Sequence, residues 1–225
     1  MTRIAALVLV GLVGAGMAVE VSGAAAKTPR RCALPRGRTV VSTSLIRAVV
    51  VNNDNTETLN LYACAYARNR VRRLAKISTS SDAPPTLRLR RHNGTWVAIE
   101  ASFVSQFQSY GFTKIADAAS GRGFSIYSYS GYSNSVPPPR PPDSPPITLS
   151  AYFLTSDGRV VAAFTDYADQ AETQATQVRI VAFSSRGVQR QLDAAAPSSL
   201  SPGSLRLSGR TASWTHDGQV RTAQL

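Results

Sequence analysis

The stretch TLRLRRHNGTWVAIEA, residues 86 to 101, decides the fold class of this chain. Leu87 and Leu89 alternate with Arg88 and Arg90, the pair Asn93-Gly94 follows, and an apolar segment returns at residues 96 to 99. Alternation of period two around an Asn-Gly pair is typical of two antiparallel strands joined by a tight turn. The pattern predicts a β-hairpin in which Asn93 and Gly94 both adopt positive φ angles.

The same pattern continues through most of the sequence. Further turns are predicted at Asp157-Gly158, Arg186-Gly187, Ser208-Gly209 and Asp217-Gly218. Helical periodicity is weak: residues 165 to 176 lack an apolar face and are predicted to be a solvated loop, and 103 to 112 could form one helical turn. An all-β fold is therefore expected.

The predicted strands fall into four groups along the chain. About four lie in 38 to 77, four in 85 to 130, four in 147 to 193, and two or three in 203 to 225. Units of this length with four short strands are typical of propeller blades. The sequence therefore favours a propeller-like array of about four antiparallel blades, irregular in places, and a β-sandwich explains the same alternation without a repeat.

The N-terminal residues resemble an export signal. Arg3 precedes a long apolar segment, and Ala24-Ala25-Ala26 offers a small-residue cleavage site before Lys27. A retained membrane anchor is the competing interpretation, but the segment is interrupted by glycines and by Glu20. We expect residues 1–26 to be removed, and residues 27–225 to form a single exported domain that is extracellular or associated with the cell envelope.

A proline-rich tract, SVPPPRPPDSPP at 135 to 146, interrupts the strand pattern. It fits a linker between two domains, a polyproline ligand for a partner, or a loop within one fold. Because the strand pattern continues unchanged on both sides, we expect a stiff loop between two blades.

Charge is distributed unevenly along the chain. The formal net charge is +12, and residues 27 to 91 carry 14 basic and 3 acidic side chains. A basic region on an exported protein indicates contact with anionic envelope polymers, glycans or another protein. Arginine-rich genomic composition explains the same excess without any binding role, since 22 of the 25 basic residues are arginine.

The chain has two cysteines, Cys32 and Cys64. In an exported protein an even cysteine count predicts a disulfide bond. The bond would join the N-terminal segment to the strand LYACAYA. A metal or nucleophilic role is disfavoured because neither a Cys-x-x-Cys motif nor a nearby histidine is present.

Several segments resemble a known group of proteins. CALPRGRTVVST, LNLYAC followed by RRLA, SDGRVVAAF and LRLSGRTASWTHDGQVRTAQL are similar to segments of secreted actinobacterial proteins with WD40- or TolB-like β-propeller character. The resemblance covers about half of the chain that follows the export signal. It implies a propeller-like fold and an extracellular location, and it carries over no catalytic residue.

Residues suited to catalysis or to metal binding are few. His92 and His216 each precede a turn, where a polar side chain is expected for structural reasons. No nucleophile elbow, zinc-protease motif or phosphate-binding loop is present in the sequence. Calcium could be bound by NNDNTE at 52 to 57 or by the group Asp166, Asp169 and Glu172, but neither has calcium-loop spacing. No cofactor is expected.

The candidate binding surface combines two groups of residues. Tyr127, Tyr129 and Tyr132 lie in GRGFSIYSYSGYSNS, and tyrosines serve as anchors in surfaces that bind sugars or proteins. The basic group is Arg68, Arg70, Arg72 and Arg73. We expect a non-enzymatic binding or scaffold protein. A secreted hydrolase or lyase is the alternative, and nucleic acid is not an expected partner because the chain is exported and lacks a known module.

Overall fold

The computed structural model describes residues 32–53, 55, 57–78, 86–105, 108–131, 146–169 and 172–225. In these residues the chain forms fifteen antiparallel strands and a short 3-10 helix at Pro202–Ser204. The expected all-β fold is confirmed. No helix in the described part of the chain is long and apolar enough to cross a membrane.

The strands form four consecutive units. Unit 1 contains β1 (Arg38–Ser42), β2 (Ile46–Asn53), β3 (Thr58–Ala65) and β4 (Arg70–Ser78). Unit 2 contains β5 (Thr86–Asn93), β6 (Trp96–Ser105), β7 (Gln108–Asp117) and β8 (Gly123–Gly131). Unit 3 contains β9 (Ile147–Leu154), β10 (Val160–Tyr167), β11 (Ala175–Phe183) and β12 (Gln189–Ala195). Unit 4 contains β13 (Arg206–Ser208), β14 (Thr211–His216) and β15 (Gln219–Gln224).

Each strand pairs with its neighbour in sequence, so every unit is an antiparallel meander. Units 2 and 3 are joined through β8 and β9, but only at the pair formed by Tyr129 and Ile147. If this single pair is set aside, the described residues form four antiparallel sheets of three or four strands each. The predicted grouping of the strands along the sequence is confirmed.

Strand β10 shows how the sheets are stacked. Its sequence VVAAFTDY is apolar without alternation, and its first six residues are all buried. Val161 and Ala163 pack toward unit 4, whereas Val160 and Ala162 pack toward unit 2. A continuous apolar segment is required here because both faces of the sheet are covered.

Three hydrophobic cores lie between consecutive units. The first joins β1–β4 to one face of unit 2 and includes Ile46, Leu61 and Val97. The second joins the other face of unit 2 to unit 3, and the third joins unit 3 to unit 4 around Trp214 and Leu200. Each inner sheet therefore separates two cores, and side chains that alternate along one strand enter different cores.

Polar contacts also connect neighbouring units. The Arg38 guanidinium donates to the carbonyl of Leu87, 3.4 Å away, between units 1 and 2. The Asn93 amide donates to the carbonyl of Leu154 at 3.1 Å between units 2 and 3. Between units 3 and 4, Arg210 forms an ion pair with Asp157. These contacts occupy turns and strand ends, which fixes the units relative to one another at their edges.

The hairpin predicted at Asn93-Gly94 forms with a different turn. Asn93 pairs with Trp96 as the last residue of β5, so the two loop residues are Gly94 and Thr95. Among Asn93, Gly94 and Thr95, only Gly94 has a positive φ angle, 60°. The prediction that Asn93 also adopts a positive φ angle is wrong. Its side chain is instead held by the hydrogen bond to Leu154.

The helical turn considered for residues 103 to 112 is also wrong. Residues up to 105 belong to β6 and residues from 108 onward belong to β7, and these strands pair with each other. Of the loop predicted at 165 to 176, the described residues 168, 169 and 172 to 174 lie outside the strands, whereas β10 extends to Tyr167 and β11 begins at Ala175. The export signal at 1–26 and the proline-rich tract up to residue 145 lie outside the described residues.

Candidate binding surfaces

The four arginines predicted as a basic surface lie at the edge of unit 1. Arg68 is exposed in the turn between β3 and β4, and the other three belong to β4. Arg70 pairs with Ala65 and Arg72 pairs with Ala63, both of which face the first core. The structure therefore does not place all four arginines on one face of the sheet.

A β-bulge determines which basic side chains share the opposite face of unit 1. Arg73 pairs with Tyr62 and Ala75 pairs with Leu61, so Leu74 is an extra residue in β4. An extra residue reverses the alternation of the strand beyond it. Lys76, which pairs with Asn60, consequently lies on the same face as Arg73 although the two are three residues apart.

Arg47 of β2 completes this group, because it pairs with Cys64, and Cys64 alternates with Tyr62 and Asn60 along β3. Arg47, Arg73 and Lys76 are all exposed. We call the face that carries these three residues the outer basic face. It lies opposite the first core.

The predicted disulfide between Cys32 and Cys64 is confirmed, with a Cα–Cα distance of 6.2 Å. Cys64 is fully buried on the same face of β3 that contributes to the outer basic face. The bond therefore holds the segment that begins at Cys32 against this face. Arg36 is exposed in that segment.

Arg72 has a different environment. A Cβ atom added at Gly121 would lie 3.4 Å from its Cδ, so the Arg72 stem packs against the turn between β7 and β8. Its Nε is buried and has no hydrogen-bond partner among the described residues. Arg72 is therefore a contact between units 1 and 2 and not a member of the outer basic face.

The ion pairs of the described residues lie outside unit 1. They involve Arg90, Arg159, Arg179, Arg210, Arg221 and His216 with carboxylates of units 2, 3 and 4. Within unit 1, Glu57 is the acidic residue that the structure describes. The outer basic face therefore retains its positive charge, which favours an anionic partner.

The three tyrosines predicted to form a binding surface do not lie together in the described structure. Tyr127 of β8 is 39% exposed, and its ring lies 6.1 Å from that of Phe112, centroid to centroid. It lines a cavity of about 280 Å³ between units 2 and 3. The backbone of Tyr129 pairs with Ile147 at the rim of the gap. Tyr132 lies outside the described residues.

The two histidines differ in exposure and in the groups that they contact. His92 is exposed near the end of β5 and pairs across the hairpin with Val97. His216 is largely buried, with Nδ1 2.8 Å from Asp193 Oδ2 and Nε2 3.4 Å from Asp217 Oδ2. Both nitrogens of His216 therefore lie against carboxylates, whereas a general base for a hydroxyl nucleophile would need one nitrogen facing that hydroxyl.

Asp193 is the centre of a polar cluster that the sequence did not predict. Its carboxylate accepts hydrogen bonds from Trp214 Nε1 at 2.6 Å and from His216, and Arg221 Nη1 lies 3.3 Å away. Burial raises the pKa of Asp193, but hydrogen bonds from His216, Trp214 and the Ala194 amide outweigh it and hold the pKa below its ordinary value. The cluster joins β12 to unit 4 and stabilises their packing.

The acidic groups considered for calcium binding are held separately in unit 3. Asp166 forms a two-point ion pair with Arg179, and Asp169 accepts hydrogen bonds from Thr173. Glu172 accepts one from Thr148 at 3.3 Å. The described part of the chain contains no cluster of three or more His, Cys, Asp or Glu side chains that could hold a metal ion. The other group, at 52 to 57, lies partly outside the described residues.

Comparison with known proteins adds no assignment to these surfaces. No protein-family model matches the chain, and no curated protein matches it.

Proposed function

We propose that this chain is an exported, non-enzymatic binding protein whose outer basic face binds an anionic polymer of the cell envelope. One observation carries the proposal: Arg47, Arg73 and Lys76 are exposed together, while the ion pairs of the described residues lie in other units. Three cations on one rigid sheet attract phosphate or carboxylate groups that are spaced along a polymer.

The stacking of the sheets supports a propeller-like arrangement as the scaffold. Each unit is a meander of neighbouring strands, and each packs face to face on the next through its own core. Successive meanders that pack in this way are typical of propeller blades. A sandwich of two sheets would need only one core between them.

The disulfide supports the exported location. Disulfides persist in oxidising compartments, and the bond between Cys32 and Cys64 closes a loop that includes most of unit 1. Together with the predicted export signal, it suggests that the chain folds outside the cytoplasm.

The proposal is tested by elution from a heparin column along a salt gradient. The test variant is Arg47→Gln/Arg73→Gln/Lys76→Gln. Because each cation near an anionic surface contributes about 1 kcal/mol at low salt, we expect affinity to fall on the order of 100-fold. Retention of the unmodified protein should weaken steeply as salt rises.

The matched control is Arg186→Gln/Arg190→Gln/Arg206→Gln, which removes three exposed charges from units 3 and 4. This control should elute close to the unmodified protein. Equal losses in the two triple variants would mean that net charge alone explains retention and would refute a specific face. Binding to purified cell-wall polymer, measured in the same salt series, extends the test to the proposed partner.

A further inference from the structure

A cavity of about 350 Å³ lies where units 3 and 4 meet, next to the turn that joins β9 to β10. Phe153 of β9 and Leu207 of β13 supply its apolar surface, because both partly buried side chains pack toward the third core. The rest of its lining is formed by Asn93, Leu154, Thr155, Ser156, Gly209 and Arg210. Its volume lies near the lower end of the range for small-molecule sites, which begins at about 300 Å³.

The Phe153 ring is held by Arg91 of unit 2. Arg91 pairs with Ala98, whose side chain packs toward unit 3, so it lies on the face of β5 that meets β9. Its Cζ is 4.7 Å from the centre of the Phe153 ring, which is the geometry of a cation–π contact. Arg91 forms no ion pair within the part of the chain that the structure describes. An unneutralised positive charge therefore lies beside the apolar surface of the cavity.

Arg210 supplies hydrogen-bond donors at the opening of the cavity. It lies in the turn between β13 and β14, and its side chain is 59% exposed. Its Nη2 donates a hydrogen bond to Asp157 Oδ2. The remaining N–H groups of the guanidinium have no hydrogen-bond partner among the described residues. They are available to a ligand that enters the cavity.

The charged side chains around the cavity have a positive sum. Asp157 contacts two guanidiniums, that of Arg159 at 3.2 Å and that of Arg210. Burial raises the pKa of Asp157, but the hydrogen bond from Thr155 and the two arginines outweigh it and hold the pKa below its ordinary value. The single negative charge of Asp157 therefore neutralises one of its two arginines, and Arg91 adds a further positive charge.

We propose that this cavity binds a small organic anion in which a carboxylate is attached to an apolar ring or chain. The apolar part contacts Phe153 and Leu207, where it is removed from water. The carboxylate accepts hydrogen bonds from Arg210 at the opening, because the planar guanidinium matches its geometry. The positive charge of Arg91 and Arg159 favours the same end of the ligand.

Other classes of ligand satisfy fewer of these contacts. A cation is repelled by the net positive charge around the cavity. A neutral apolar molecule gains the contact with Phe153 and Leu207 but nothing from the arginines. A small inorganic anion pairs with Arg210 but leaves the apolar surface exposed to water.

This site does not depend on the outer basic face, and the two can be tested separately. The Arg47→Gln/Arg73→Gln/Lys76→Gln variant should bind a small carboxylate as well as the unmodified protein does. Arg210→Gln, in turn, should elute from heparin close to the unmodified protein. Failure of one site therefore leaves the other unaffected.

The experiment is an NMR titration of the isotope-labelled protein with benzoate, benzamide and benzylamine, which share a ring and differ in charge. We expect benzoate to bind with millimolar affinity and to shift the resonances of Phe153, Leu207 and Gly209. Benzamide should bind roughly 3-fold more weakly, the difference expected for the loss of an exposed ion pair. Benzylamine, and acetate as an anion without a ring, should cause no shift at the same concentrations.

The test variant is Arg210→Gln. It should bind benzoate roughly 3-fold more weakly and benzamide as well as the unmodified protein does, because only the charged contact is removed. Arg68→Gln is the matched control, since it removes an exposed charge from the turn between β3 and β4 in unit 1. This control should bind benzoate normally.

Four results would overturn the inference. The first is that benzoate does not shift the cavity resonances, and the second is that benzamide binds as tightly as benzoate. The third is that Arg210→Gln binds benzoate as tightly as the unmodified protein. The fourth is that Arg210→Gln loses benzoate and benzamide equally, which would show that Arg210 shapes the cavity and does not pair with the carboxylate.

Discussion

Trp214 Nε1 donates a 2.6 Å hydrogen bond to the carboxylate of Asp193, across the boundary between unit 3 and unit 4. Both residues are buried, at 4% and 9% exposure. Inside a protein, a donor that loses its acceptor cannot turn to water. This pair is therefore a sensitive point in the packing of the last unit.

Replacing Asp193 with alanine should lower the free energy of unfolding by about 1–3 kcal/mol, because the indole N–H and His216 would lose their acceptor. Urea denaturation of both proteins measures the difference. Asp217→Asn is the control, since the Asp217 side chain is 67% exposed and asparagine tolerates the positive φ angle of this position. A change within about 0.5 kcal/mol is expected there. A loss at Asp193 no larger than that of the control would contradict the role assigned to the hydrogen bond.

Acid should weaken the folded state through the same carboxylate. Burial raises the pKa of Asp193, but its hydrogen bonds lower it further, so the folded-state pKa lies below the ordinary value of 3.8. A depressed folded pKa adds stability above the unfolded value, and this contribution is lost as the pH falls through the folded pKa. Urea midpoints measured from pH 7 downward should decline below about pH 4. Asp193→Asn should show a smaller decline over that range, and parallel curves would exclude this contribution.

Removal of the disulfide should destabilise unit 1. The disulfide joins cysteines that are 32 positions apart. In the chain-entropy model, closing a loop of this length stabilises the folded state by roughly 3–4 kcal/mol, because the unfolded chain is restricted. Cys32→Ser/Cys64→Ser should therefore have a lower urea midpoint than the unmodified protein under oxidising conditions. With reductant present, the two proteins should unfold alike. Thiol titration of the unfolded, unreduced protein should detect no reactive cysteine, and two reactive thiols would refute the bond.

Substitution of Gly158 should lower the stability of the protein for two reasons. Its φ angle is 83°, and an added Cβ would lie 2.3 Å from the Trp96 ring. Gly158→Ala should therefore destabilise the protein by more than the roughly 1 kcal/mol that a left-handed conformation costs an L-residue. Gly209→Ala is a matched control, with φ of 58° and no atom within 4 Å of the added Cβ. Equal thermal shifts in the two variants would show that the Trp96 contact has no effect.

The strands were predictable because their signals are local. Alternation of apolar and polar residues marks many of the strands, and a glycine marks the turns at Gly94, Gly158, Gly187, Gly209 and Gly218. Asp217 and Gly218 both have positive φ angles, as an Asp-Gly turn predicts, with His216 paired to Gln219 across them. Asn93 does not adopt the predicted positive φ angle. Its side chain is held instead by the neighbouring unit, where the carbonyl of Leu154 accepts its hydrogen bond.

The candidate surfaces were only partly predictable. The basic segment could be read from the sequence, but the bulge at Leu74 decides that Arg73 shares a face with Lys76. Arg47 joins them through strand pairing and lies 26 positions before Arg73 in the sequence. A bulge has no strong sequence signal of its own, and its position follows from how the paired strands fit.

The sequence by itself determined the strands, their grouping along the chain and the disulfide, because each depends on neighbouring residues or on the presence of two cysteines. Only the tertiary structure decided which side chains meet. Asp193, Trp214 and His216 come together because unit 4 packs on unit 3, and Tyr127 borders a cavity because β8 and β9 diverge. Both outcomes depend on how complete sheets fill space against each other, which no local pattern encodes.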